Sequence, residues 1–172
     1  MGRRAFIYAA GEYTGDDIKL YKRIIPKDDD LVICADGGYD SLYFTGIVPH
    51  IIIGDFDSVK VNVPKEIPTI KHPTSKDKTD LEICIDYALE QDCDTIFILG
   101  ALGGRIDHTM GAMCALKYAM EKGVDALILN GKSRIYLVDS EMEIPREKFD
   151  YVSLIPCTET VTGVYTLGLK YE

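Results

Sequence analysis

The sequence predicts an α/β fold, with a parallel-sheet domain over residues 1–130 followed by a small all-β appendage over residues 131–172. Three observations predict it. Short, continuously apolar runs alternate with helix-period segments up to residue 130, and such alternation demands a parallel sheet whose crossovers lay helices over both faces. The apolar runs end in loops rich in aspartate and glycine, residues that suit the turn from strand to helix. After Asn130-Gly131 the helical period disappears and only short strand-like segments remain.

The elements follow in order. A strand over Arg4 to Ala10 is broken by Gly11-Glu12-Tyr13-Thr14-Gly15 before a helix over about Asp16 to Ile24. A strand over Leu31 to Ala35 runs into Asp36-Gly37-Gly38 and then a helical turn over Tyr39 to Phe44; another, His50 to Ile53, runs into Gly54-Asp55-Phe56-Asp57-Ser58. A weaker strand over Ile67 to Lys71 precedes a loop over Pro73 to Lys78. The helix after it, with Lys78 or Thr79 first, has Leu81, Cys84, Ile85, Ala88 and Leu89 on one face. Thr95 to Leu99 is a strand that meets Gly100-Ala-Leu-Gly103-Gly104, and the following helix, Ile106 to Lys122, stops at Gly123. Ala126 to Leu129 closes the series, and Arg134 to Val138, Tyr151 to Ile155, Val161 and Leu167 mark the short strands of the appendage.

A chain of 172 residues with 47% hydrophobic and 27% charged side chains has the composition of a globular protein rather than a disordered one. Its longest apolar stretches, such as Ile51-Ile52-Ile53, fall far short of the ~20 residues a membrane helix needs. Nineteen basic against 28 acidic residues leave a net charge of −9, which argues against a surface for nucleic acid and means that an anionic ligand needs a cation. Five cysteines at 34, 84, 93, 114 and 157 form no C-x-x-C pair and are odd in number, so a disulfide framework or zinc ribbon is not expected. A reducing cytoplasm is the expected compartment. Arg3-Arg4 is followed by an apolar run too short for a signal peptide, and Phe6 spoils a myristoylation motif.

In open α/β sheets ligands bind beyond the carboxyl ends of the strands, and Asp36, Asp55, Asp57, Asp77, Asp80 and Asp107 all fall in those loops or at the helix starts behind them. Single aspartates also cap helices and shape turns, but six converging on one edge suit a metal. The D-x-D pair Asp55 and Asp57 offers hard oxygen ligands for Mg²⁺, which in turn carries phosphates. Gly37-Gly38 and Gly103-Gly104 let backbone N–H groups approach an anion, and Arg105 adds a planar fork of donors. Asn130-Gly131-Lys132-Ser133 ends like a P-loop but has Ala126 where the first glycine is required, so it reads as a turn. His108 either orients Asp107 or touches a ligand; His50 and His72 have no metal-ligand spacing, and no Ser-His-Asp or Cys-His nucleophile is present as a pattern.

The motifs ADGGYDSL (35–42), IIIGDFDSV (51–59), SKDKTDLE (75–82) and GALGGRIDHTMG (100–111), in that order, closely resemble those of the thiamine pyrophosphokinases. The resemblance spans residues 4 to 139. It implies a nucleotide-binding α/β domain followed by a β-sandwich that binds thiamine and dimerises. It implies Mg²⁺-dependent transfer of a pyrophosphoryl group from ATP to the hydroxyl of thiamine, giving thiamine diphosphate and AMP. By the same resemblance Asp36, Asp55, Asp57 and Asp80 surround the metal and triphosphate, Arg105 and Asp107 lie beside the reacting groups with His108 near the ligand, and Gly37, Gly38, Gly103 and Gly104 line the nucleotide. Asp80 and Asp107 are both candidates to accept the hydroxyl proton.

Family members carry further strands beyond the point corresponding to Glu172, with thiamine contacts made across a homodimer interface. The sandwich is therefore expected to be short by several strands, with an exposed edge that pairs with a neighbouring subunit. Two other functions fit parts of the pattern. A nucleotide-sugar glycosyltransferase accounts for Asp55-Phe56-Asp57 but leaves the other three motifs unexplained, and it releases a nucleoside diphosphate rather than AMP. A non-catalytic nucleotide- or thiamine-binding module predicts Mg·ATP binding without thiamine-dependent AMP.

Overall fold

The computed structural model describes residues 2–24, 26–72, 77–146 and 149–170. The chain divides into two compact units, Met1–Glu141 and Met142–Glu172.

The first unit is a seven-stranded sheet in the order β4-β3-β2-β1-β5-β6-β7. Its strands are β1 (Arg3–Tyr8), β2 (Leu31–Ala35), β3 (Ile51–Gly54), β4 (Thr69–Lys71), β5 (Cys93–Leu99), β6 (Asp125–Leu129) and β7 (Arg134–Tyr136), and its helices α1 (Gly15–Arg23), α2 (Gly38–Tyr43), α3 (Asp80–Glu90) and α4 (Ile106–Glu121). The ladders from β4 across to β6 are all parallel, as the unbroken apolar runs predict. The chain winds one way from β1 to β4 and the other way from β5 to β6. The reversal lies between β1 and β5, where such sheets leave a crevice for a ligand.

Both faces of the sheet are buried, so odd and even residues of one strand enter different cores. Ala5, Ile7, Ile33, Ile53, Ile96 and Ile98 pack with Cys84, Ile85 and Ala88 of α3 and Ala112, Ala115 and Ala119 of α4. Phe6, Tyr8, Val32, Cys34, Ile52 and Leu99 pack with Tyr21 of α1 and with Tyr39 and Leu42 of α2. Each fully buried large side chain contributes about 1.5–3 kcal/mol, and these two layers place α1 and α2 on one side of the sheet and α3 and α4 on the other. Away from the crevice, Arg4 donates to Asp30 at 2.9 and 2.5 Å, and its guanidinium lies 5.3 Å from the ring centroid of Phe6. Burial opposes ionisation of Asp30, but hydrogen bonds from Arg4 and from the Lys27 amide outweigh it and hold the carboxyl below its ordinary pKa.

Helix starts are set by side-chain caps. Thr14 caps α1 in a reciprocal box with Asp17, and Thr79 caps α3 in the same way with Glu82, so α3 begins at Asp80 rather than at Lys78 or Thr79. β4 begins two residues later than expected, at Thr69, because Pro68 has no N–H to give the ladder and contributes only its carbonyl, to the Ile52 amide at 3.0 Å. The expected loop Pro73 to Lys78 lies, at residues 73–76, outside the described residues.

The segment at Arg134 corrects the expectation of an appendage strand. It is the antiparallel edge of the main sheet, pairing Leu127 with Tyr136 and Leu129 with Arg134. The cause is the turn at Asn130–Ser133. Asn130 N–H donates to the Ser133 carbonyl at 3.0 Å, and its side-chain oxygen accepts from the amides of Lys132 and Ser133. A turn this tight returns the chain beside β6, and the stretch that resembles the end of a P-loop is spent on it.

The expected strands around Tyr151 to Ile155, Val161 and Leu167 do not form among the described residues of the second unit, which contain neither helix nor strand. A strand requires a neighbour to accept and donate its backbone hydrogen bonds, and here Tyr151, Leu154, Ile155, Tyr165 and Leu167 stand exposed. No helix among the described residues is long and apolar enough to cross a membrane.

Candidate active site

Because the strands from β4 to β6 are parallel, the loops after β1, β2, β3, β4 and β5 leave the sheet at one edge. Ala35 pairs with Ile53 in register, so the loops starting at Asp36 and Asp55 emerge side by side. Carboxylate oxygens of Asp36, Asp55 and Asp57 lie within 4.8 Å of one another. Asp36 is buried, Asp55 half-buried and Asp57 exposed.

Backbone conformation makes this approach possible. Asp36 and Phe56 adopt left-handed conformations with φ of 45° and 68°, which bend each chain sharply at the end of its strand. Gly54 must lack a side chain, since a Cβ there would lie 2.8 Å from that of Asp36. The Asp36 amide donates to Ile53 at 2.8 Å, and Asp36 Oδ1 accepts from the Phe56 amide at 3.0 Å. Within the second loop Asp55 Oδ1 accepts from the Asp57 amide at 3.1 Å, and Ser58 Oγ donates to Asp57 at 2.8 Å. Asp40, which the sequence reading passed over inside the first motif, accepts from the amides of Lys60 and Val61, each at 3.0 Å. It ties the chain leaving Asp57-Ser58 to α2.

Three carboxylates this close repel one another unless a cation stands between them. Hard oxygen donors of graded exposure suit Mg²⁺, which retains some of its water. Asp80 is the first residue of α3 and stands half-buried beyond β4, outside that group of three; Asp77 is exposed in the same loop.

The glycine pairs differ in purpose. A Cβ on Gly38 would lie 2.0 Å from the Tyr8 carbonyl oxygen, whereas one on Gly37 would come no nearer than 3.2 Å to Ser58 Cβ, 3.3 Å to Ala10 Cβ and 3.4 Å to the Ser58 carbonyl oxygen. Gly38 is thus needed to seat α2 against β1. Gly103 and Gly104 have φ of 83° and 65°, the left-handed region glycine enters without strain. The Glu12 side chain lies over them, 3.1 and 3.2 Å from where their Cβ atoms would be. The Gly11 amide donates to the Gly100 carbonyl at 2.7 Å and joins the β1 and β5 loops at the crevice. Glu12 carried one signal in the sequence, its place directly after the first strand.

Arg105 stands directly before α4 without a side-chain cap, and its fork donates to Asp107 at 3.1 and 2.5 Å; both side chains are largely exposed, as is the neighbouring His108. The hydrogen bond from Arg105 holds the Asp107 carboxyl below its ordinary range. His50 stands at the opposite end of the strands, where its Nδ1 accepts from the Val32 amide at 3.0 Å.

Residues 23–128 match the thiamin pyrophosphokinase catalytic domain, and residues 139–172 match the thiamin pyrophosphokinase vitamin B1 binding domain. The chain is 32% identical over 148 residues to thiamine pyrophosphokinase of Bacillus subtilis, a match covering 82% of this chain and 69% of the relative. It is 31% identical over 134 residues to thiamin pyrophosphokinase 1 of Caenorhabditis elegans, covering 72% of this chain but 55% of that protein. The crystal structure of the Bacillus subtilis thiamine pyrophosphokinase superposes with a TM-score of 0.59 at 26% identity, covering 74% of this chain and 60% of that one.

Proposed function

Since this chain belongs to the thiamine pyrophosphokinase family, we propose that it transfers a pyrophosphoryl group from ATP to the hydroxyl of thiamine, giving thiamine diphosphate and AMP. The observation that carries this reading is the convergence of Asp36, Asp55 and Asp57 at the ends of adjacent strands, one step from the crevice between β1 and β5. Asp36, Asp55 and Asp57, together with Asp80 from the start of α3, would hold Mg²⁺. The metal would supply neutralising charge for the triphosphate, the need that a net charge of −9 creates.

In the reaction the thiamine hydroxyl oxygen bonds to the β-phosphorus, the bond from that phosphorus to the oxygen bridging the α-phosphate breaks, and AMP departs with the electron pair. The hydroxyl proton passes to a carboxylate. Asp80 and Asp107 are the two candidates for that carboxylate. Gly37, Gly38, Gly103 and Gly104 line the nucleotide, with Arg105 and His108 beside the phosphates. This chemistry relies on positioning and charge rather than on a protein nucleophile.

The match of residues 139–172 to a vitamin B1 binding domain supports a thiamine-binding role for that part of the chain. A homodimer and a cytoplasmic location belong to the same reading. An AMP-release assay with Mg·ATP, with and without thiamine and with product mass determined, is the test. Thiamine-dependent AMP together with thiamine diphosphate is expected. Mg·ATP binding without AMP would leave a binding module, and release of a nucleoside diphosphate would overturn the reading.

A further inference from the structure

Beyond β4, three side chains from three places form a closed hydrogen-bonded set. Lys78 Nζ, on the loop before α3, donates to Asp86 Oδ2 of α3 at 2.5 Å and to the Tyr118 hydroxyl of α4 at 2.8 Å. The Tyr118 hydroxyl donates to Asp86 Oδ1 at 2.6 Å. The ammonium groups of Lys78 and Lys122 lie 5.3 and 5.4 Å from the centroid of the Tyr118 ring.

The direction of Lys78 matters more than the contact. Asp86 lies six residues beyond Asp80, about 9 Å along a helix rising 1.5 Å per residue. The Lys78 side chain therefore runs forward along α3 and sets the line on which the chain enters the helix. Immediately after it, the Thr79 amide and hydroxyl donate to Glu82 at 2.8 and 3.0 Å, while the Glu82 amide donates to Thr79 Oγ1 at 3.2 Å. The reciprocal cap fixes the backbone at Thr79, and the Lys78 set fixes its heading. Asp80 follows directly.

We propose that Lys78, Asp86 and Tyr118 form a clamp that positions the start of α3, and with it the Asp80 carboxylate, for the metal and triphosphate. The inference rests on the role given to Asp80 above. These are positioning residues, since their polar atoms are engaged with one another. Lys78 is about half exposed, at 47%, and exposed ion pairs contribute little to folding stability. A small displacement of a group that must be aligned in a transition state costs far more. The clamp therefore acts on turnover while leaving the melting temperature nearly unchanged.

The test compares the full chain with its Lys78→Met, Lys78→Arg and Tyr118→Phe variants. Three quantities are measured: thiamine-dependent AMP formation against Mg²⁺ concentration, amide hydrogen exchange at Thr79, Glu82 and Ile83, and Tm. Lys78→Met is expected to lower kcat roughly tenfold and to raise the Mg²⁺ concentration for half-maximal rate several-fold. Exchange at the three amides should accelerate roughly tenfold, with Tm moving by no more than about 2 °C. Lys78→Arg should restore most of the turnover, and Tyr118→Phe should fall between. Exchange and Mg²⁺ dependence unchanged in Lys78→Met, with the parent making thiamine diphosphate, would overturn the clamp and leave the function standing. A parent that makes no AMP, with exchange at those amides still faster in Lys78→Met, would overturn the functional reading and with it the clamp's part in a reaction.

Discussion

The amide of Phe56 donates a 3.0 Å hydrogen bond to Oδ1 of Asp36, so one carboxylate both completes the acidic cluster and holds the neighbouring loop in place. The two tasks separate by substitution. Asp36→Asn keeps an acceptor for the Phe56 amide, whereas Asp36→Ala removes it and leaves a part-buried donor unpaired, costing about 1–3 kcal/mol. Both variants should lose metal-dependent activity, but only the alanine variant should show a clear fall in Tm. Equal thermal stability of the two would show that the hydrogen bond does not organise the loop.

Asp55 offers its carboxylate to the cluster while accepting from the Asp57 amide within the same turn. Asp55→Asn retains that acceptor and deletes the charge. Turnover should fall by orders of magnitude while Tm stays nearly constant, as measured by AMP release and thermal melting. Parental turnover in this variant would remove Asp55 from the site.

Removal of divalent metal tests the cluster without mutation. ATP should raise the Tm of the chain in the presence of Mg²⁺, by mass action on the folded state, and the rise should vanish on addition of EDTA and return with excess Mg²⁺. An ATP-induced shift that persists in EDTA would mean that the nucleotide is held without the three carboxylates acting through a cation.

The neighbouring glycines predict unequal outcomes for the same substitution. Gly38→Ala forces a Cβ to within 2.0 Å of the Tyr8 carbonyl oxygen, a backbone atom that cannot turn aside. A loss of about 3 kcal/mol or more is expected in denaturant unfolding. Gly37→Ala meets its nearest atoms, Ser58 Cβ, Ala10 Cβ and the Ser58 carbonyl oxygen, at 3.2 to 3.4 Å and should cost about 1 kcal/mol or less. Similar losses at both positions would contradict the close approach of α2 to β1.

The Arg4–Asp30 pair predicts part of the acid response. The folded-state pKa of Asp30 is depressed below its ordinary 3.8, so its stabilising contribution is complete above that value and is lost as pH falls through it to the folded-state pKa. Asp30→Asn should therefore reduce stability at neutral pH and flatten the decline of stability below about pH 4. Unfolding in urea across pH 2.5 to 7 measures both slopes, and parallel curves for the two proteins would refute the assignment.

Much of the fold is legible along the chain because each element is announced locally. Leu31 to Ala35 reads as a strand and is one over those same residues, and the helix expected from Lys78 or Thr79 starts within two residues of that place, at Asp80 behind the Thr79 cap. The motif residues Asp36, Asp55 and Asp57 are equally visible, since acid and glycine at a strand end carry a local signal. Glu12 carries only its place after the first strand, and Asp40 carries no such signal. Each gains its place only from what folds against it, Gly103 and Gly104 in one case and the amides of Lys60 and Val61 in the other. The strand at Arg134 was legible as a strand, but whether it paired with β6 or with a second sheet depended on the geometry of the Asn130–Ser133 turn.

By itself, then, the sequence determined the α/β class, the order of strands and helices in the first unit, and the set of acidic residues at strand ends, because periodicity and turn chemistry act over a few neighbouring residues. Only the tertiary structure decided which strands lie side by side. The adjacency of β2 and β3 draws Asp36 to Asp55 and Asp57, while Asp80 stands beyond β4 under the hold of Lys78, Asp86 and Tyr118. Strand order and register arise from backbone pairing between segments far apart in the chain, and no local pattern encodes them.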